Sequence, residues 1–94
     1  MHPTHIPVPN PDYRLEEFSD EVLLYHPADT RTVYLNRAAS LVWKLCDGTR
    51  TVADITALLR GSYPESVDTI DSDVEWALDQ FVENGAMHLK PEAD

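Results

Sequence analysis

The apolar residues change their spacing once along this chain, and that change limits the fold more than any other feature. Up to Leu35 they tend to fall on every second residue, and beyond Asn36 on every third or fourth. The first spacing suits strands with one covered face, the second helices with a buried stripe. Tyr13-Arg-Leu-Glu-Glu-Phe18 alternates apolar and polar residues. Val22 to Tyr25 is a β-prone run stopped by Pro27, and Arg31 to Leu35 is a third, with Val33 and Leu35 on one face. Turns are expected at Ser19-Asp20-Glu21 and Ala28-Asp29-Thr30. Three strands joined by short turns predict an antiparallel meander.

Three helices should follow. Asn36 is a good N-cap, and Ala39, Val42, Trp43 and Cys46 recur at helical spacing, flanked by Leu41 and Leu45. Asp47-Gly48 ends this helix, with Gly48 suited to the left-handed position just past it. Thr51 caps the second helix, and Asp54 stands where a capping box needs it. Its stripe is Val52, Ile55, Leu58 and Leu59, and Gly61 and Pro64 close it. The third helix runs from about Val67 to Asn84, with Val67, Ile70, Val74, Ala77, Leu78, Phe81 and Val82 on one face. Gly85 stops it, and Ala86 to Leu89 forms a short closing strand or an extended tail. A three-stranded antiparallel sheet followed by three helices is an α+β, winged-helix-like arrangement.

The expected organisation is a proline-rich flexible arm over residues 1–11, one domain over 12–90 and a tail over 91–94. The arm carries Pro3, Pro7, Pro9 and Pro11, each lacking an N–H. A chain of 94 residues supports one modest core and leaves little room for a deep pocket besides.

Charge narrows the partners. The chain carries a formal charge of −10, and residues 61–94 hold Lys90 against Glu65, Asp68, Asp71, Asp73, Glu75, Asp79, Glu83, Glu92 and Asp94. Nucleic-acid affinity is drawn largely from Lys and Arg on phosphates, so nucleic acid is not expected, and anionic membranes are not expected for the same reason. No apolar run approaches the roughly 20 residues of a transmembrane helix, and no secretory signal is seen at the N-terminus. The single Cys46 fits a reducing cytoplasm.

Catalytic and metal-binding constellations are not found. His2, His5, His26 and His88 are scattered, and with Cys46 they do not make a ligand set. Cys46 falls on an apolar stripe and reads as a small core hydrophobe. Asp71 and Asp73 read as part of a solvated helix face. The three glycines are isolated helix stops and form no phosphate loop. No enzyme activity and no cofactor are therefore expected. Trp76 lies nearly opposite the Val74 and Phe81 side of its helix, where it meets a partner, a second copy of the chain or the N-terminal arm.

An ordered set of short pieces carries a resemblance. Tyr34-Leu-Asn36 leads into a helix ending Leu45-Cys-Asp-Gly48; then come Arg50-Thr-Val52, Ile55, a Tyr63-Pro64 stop, and Asp73-Val74 through Phe81 to Gly85. Over residues 13–89 this resembles the PqqD-like family, or RiPP recognition elements. The resemblance implies a winged-helix-like domain that binds peptide rather than DNA. Such a domain holds the leader segment of a ribosomally made precursor for a separate maturase, often a radical enzyme using S-adenosylmethionine; the named member serves pyrroloquinoline quinone synthesis. It also implies that the leader adds a strand beside the third strand and lies against the third helix. The rival readings are a winged-helix transcription regulator, which lacks a basic recognition helix here, a small enzyme, and a dimerisation module working through Trp76.

On this reading Thr32, Val33, Tyr34 and Leu35 bond the leader's backbone, because an edge strand presents unpaired N–H and C=O groups. On the third helix the flank with Asp73, Ala77, Gln80 and Asn84 is the expected groove wall, with small Ala77 leaving space for a guest side chain. The opposite flank, with Asp71, Glu75 and Val82, is the alternative.

Overall fold

The computed structural model describes residues 3–18, 21–28 and 31–91. Both expected turns lie partly outside these residues, at 19–20 and 29–30, as do positions 92–94 of the tail. Strands β2 (Arg14–Phe18), β3 (Glu21–His26) and β4 (Arg31–Leu35) form the meander in the order β2-β3-β4. Leu24 of β3 pairs with Leu15 on one side and Val33 on the other. Leu24 is fully buried, and Leu15 and Val33 pack partly buried against the core. The period-2 pattern thus covers one sheet face while Thr32 and Tyr34 stand exposed on the other.

Helix α1 (Arg37–Leu45) begins at Asn36, whose side-chain oxygen accepts from the Ala39 N–H at 2.8 Å. It ends one residue before the expected Cys46, which becomes its C-cap. Gly48 does take a left-handed conformation, φ 85°, but two residues past the cap rather than next to it. Between these points the Asp47 carboxylate accepts from the N–H groups of Thr49 and Arg50 and from the Thr49 hydroxyl. These bonds hold the Asp47 carboxyl below its ordinary acidity range. Arg50 donates to the Leu45 carbonyl at 2.9 Å and so closes the end of α1.

Helix α2 (Val52–Ser62) starts on a complete capping box formed by Thr51 and Asp54. Gly61 lies inside its last turn, so the stop is made by Tyr63 ahead of Pro64, as pre-proline geometry favours. A 3-10 turn (Pro64–Ser66) leads into α3 (Val67–Glu83). Ile70, Val74, Ala77, Leu78 and Phe81 of α3 are buried, and Trp43 of α1 meets Phe81 edge-on at 5.3 Å. Val67 and Val82, expected in this stripe, are instead substantially exposed.

The N-terminal segment departs from the expectation of a flexible arm. Ile6–Pro9 form strand β1, paired antiparallel with β5 (Met87–Lys90). The prolines fit because of their spacing. Ile6 pairs with Lys90 and Val8 with His88, and in the same register the Asn10 N–H donates to the Ala86 carbonyl at 2.8 Å. Even-numbered residues therefore turn their N–H groups toward β5, and Pro7 and Pro9 turn the other edge outward, where no donor is required. The segment also closes two helix ends. The Val52 and Ala53 N–H groups donate to the carbonyls of His5 and Pro3 at 2.9 and 3.0 Å, satisfying the first donors of α2. The Tyr13 hydroxyl donates to the Asn84 carbonyl at 2.7 Å, and Asn10 Nδ2 to that of Gly85 at 3.1 Å, both at the end of α3.

Candidate functional site

A strand-shaped guest needs an edge with free donors. The outer edge of β1 lacks N–H groups at Pro7 and Pro9, which disqualifies it as a template. In the other sheet, β4 hydrogen-bonds only to β3 among the described residues, so its far edge is open. Thr32 and Tyr34 are exposed there, Tyr34 by 67%, while Val33 and Leu35 anchor the strand on the core. The backbone of Thr32 to Leu35 is thus held firmly on one side and, among the described residues, unpaired on the other.

The end of β4 delivers the chain to a groove. Two residues beyond Leu35, Arg37 opens α1 and stands on the rim of a groove of about 370 Å³ between α1, the end of α2 and the first half of α3. Its apolar lining comes from Leu41, Val42, Leu59, Tyr63 and Ile70. Arg37, Glu65 and Asp73 supply charges of both signs around it. Asp73 is half-buried in this position, while Asp71 and Glu75 line a different groove on the α2 side. The chain that leaves β4 thus enters α1 at Arg37, which lines the same groove as Asp73 of α3.

The other expected wall residues divide. Gln80 is half-buried on the same flank as Asp73. Asn84 caps α3, its Nδ2 donating to the Gln80 carbonyl at 2.8 Å, so its side chain serves the helix end. Ala77 is fully buried in the core and lines neither groove. A helical wheel places Ala77 beside Asp73 and Gln80 but does not show that the core covers that position. Trp76 is 50% exposed on the outer face of α3. Sequence spacing marks Leu41 and Ile70 as stripe residues and Tyr63 as a helix stop, and no motif marks Arg37. Their common groove depends on three helices meeting, and no local pattern announces it.

Among the described residues no three His, Cys, Asp or Glu side chains group as metal ligands. Burial pushes the Cys46 thiol up to about 12, with the Asp47 carboxylate acting the same way, so the thiol stays protonated at neutral pH. No helix is long and apolar enough to cross a membrane among the described residues.

An acidic α+β domain with an open strand edge leading to a mixed-charge groove defines a class of winged-helix-like domain suited to accepting an extended chain. This chain belongs to the PqqD family: the family described as "Coenzyme PQQ synthesis protein D (PqqD)" matches residues 21–86. A comparison with curated protein sequences finds no match. Among solved structures, "TbiB1 in Complex with the TbiA(beta) Leader Peptide" is similar, with a TM-score of 0.68 and 20% sequence identity. The alignment covers 93% of this chain and 99% of that one.

Proposed function

We propose that this protein is a non-catalytic adaptor that binds the leader segment of a ribosomally synthesised precursor peptide and presents it to a modifying enzyme. The observation that carries the reading is an open, core-anchored edge, β4, whose chain runs on into the Arg37 rim of an apolar groove, in a chain of the PqqD family. The similar fold of TbiB1, solved with a leader peptide, supports it. The leader adds a strand beside Thr32 to Leu35 by backbone bonding, which asks little of its sequence. Selectivity comes from side chains entering the groove bounded by Arg37, Tyr63, Ile70 and Asp73, with Gln80 further along the same flank. The modifying enzyme is a radical maturase using S-adenosylmethionine, and the encounter takes place in the cytoplasm. Chemistry belongs to that enzyme; the adaptor's single thiol is buried and protonated.

The test is titration of a fluorescently labelled leader peptide, taken from a short precursor encoded near this gene, into the full chain. Saturable binding is expected, with amide shifts centred on residues 32–35 and on Asp73. A leader that fails to bind, or that binds without perturbing β4, overturns the reading.

A further inference from the structure

The proposed leader groove uses one side of α3, and another side is solvent-facing among the described residues. On a helical wheel of about 100° per residue, Asp68, Asp71, Ser72, Glu75, Asp79 and Val82 form a solvent-facing band on the side away from Asp73. One margin of this band opens into a groove of about 610 Å³ between α2, α3 and the N-terminal segment. Pro3, Val52, Ala53, Ala57 and Val74 give that groove apolar lining, and Asp71 and Glu75 stand on its α3 side. The opposite margin carries Trp76, half exposed. Arg60 lines the same groove as a cation, and it is already engaged by Asp71. An apolar cleft and an exposed indole are thus framed by carboxylates in excess.

We infer that this α2–α3 face is a second docking surface, for a protein surface that carries lysines or arginines around a large apolar side chain. The inference rests on the adaptor reading, in which this partner is the modifying enzyme. An adaptor must hold leader and enzyme at once, so the two cannot share a face. The two grooves meet that need, because they are lined by separate sets of residues. Charge complementarity selects the occupant. A second copy would set acidic face against acidic face at a formal charge of −10 each, and nucleic acid is repelled in the same way. Apolar contact at Trp76 and the cleft supplies affinity, and the carboxylates supply steering and orientation.

The probe is a synthetic amphipathic helix of leucine and lysine, with a counterpart in which glutamate replaces lysine. Each is titrated into the full chain and followed by amide chemical shifts. The lysine peptide should dock with shifts at Ala53, Thr56, Glu75 and Trp76, and more weakly as salt rises. Trp76→Ala and the pair Glu75→Lys with Asp79→Lys should each weaken it by about tenfold while leaving leader affinity unchanged. All these positions are exposed, and circular dichroism verifies that both variants fold. Equal binding of the glutamate peptide, shifts centred on β4 or Asp73, or unaltered affinity in both variants overturns the inference. Loss of leader binding in these variants also overturns it, since the faces would then not be separate. If no leader binds the wild type while the lysine peptide still docks on α2–α3, the adaptor reading fails and the surface stands.

Discussion

At position 77 a methyl group is enclosed by the core. Ala77 is fully buried against the same core as Phe81 and Val42, although Asp73, one turn earlier, lines the groove. Ala77→Trp should therefore overpack the core and cost about 1–3 kcal/mol, lowering the midpoint of a thermal melt by roughly 4–8 °C for each kcal/mol. An unchanged midpoint with weaker leader binding would instead place Ala77 on the groove wall. Cys46 offers a second test at this scale. Its folded thiol is raised from 9.0 to about 12, mainly by burial. A raised folded value means that the native state keeps a proton which the unfolded state loses first. Its contribution is thus fully present below pH 9 and is lost as pH rises toward 12. Iodoacetamide at pH 8 should label Cys46 only as fast as the chain opens, and denaturant should release the labelling. Rapid alkylation of native protein, read by mass spectrometry, would contradict the buried placement.

Among the elements, β1 and β4 are both edges, and they are handled in opposite ways. The prolines of β1 remove donors from its outer edge, while β4 keeps all of its own. Removal of residues 1–9 takes away the buried Ile6 and Pro7 and the carbonyls that serve Val52 and Ala53. Loss of about 2–4 kcal/mol is expected from the lost burial and hydrogen bonds together, measured by urea denaturation. A truncated protein as stable as the full chain would mean that the segment is only an attached arm. On β4, Val33→Pro distinguishes two geometries. If the Val33 N–H faces outward, the fold survives and leader affinity drops; if it faces β3, the sheet itself is damaged. A folded Val33→Pro protein that binds leader with unchanged affinity would count against docking at this edge.

Across the whole molecule the dominant quantity is charge. The formal charge is −10, and the C-terminal third carries nine carboxylates against Lys90. A leader carrying Lys or Arg is steered toward Glu65 and Asp73 on the groove rim, mainly through its association rate. Raising salt from low to physiological strength should slow association while changing dissociation little, because exposed charges are screened over about 8–10 Å. Stopped-flow traces that are indifferent to salt would show that the leader is held by backbone and apolar contacts alone.

Local signals written in neighbouring residues were readable from the sequence: the change of apolar period, the Asn36 cap, the Thr51 and Asp54 capping box, and Gly85, whose φ of 74° ends α3. Each of these depends on atoms a few residues apart, so composition and spacing specify them. The family resemblance rested on the same short pieces. The partner of β1 was not readable, because Ile6 finds Lys90 at the far end of the chain and prolines seen locally read as breakers. Only pairing shows that they occupy the one edge where a missing N–H does no harm. The division of α3 into groove wall, core and outer face was likewise decided by tertiary structure. A helical wheel gives the angle of Asp73, Ala77 and Trp76, but which angle is covered depends on where α1 and α2 pack, and that is set by contacts between residues distant in sequence.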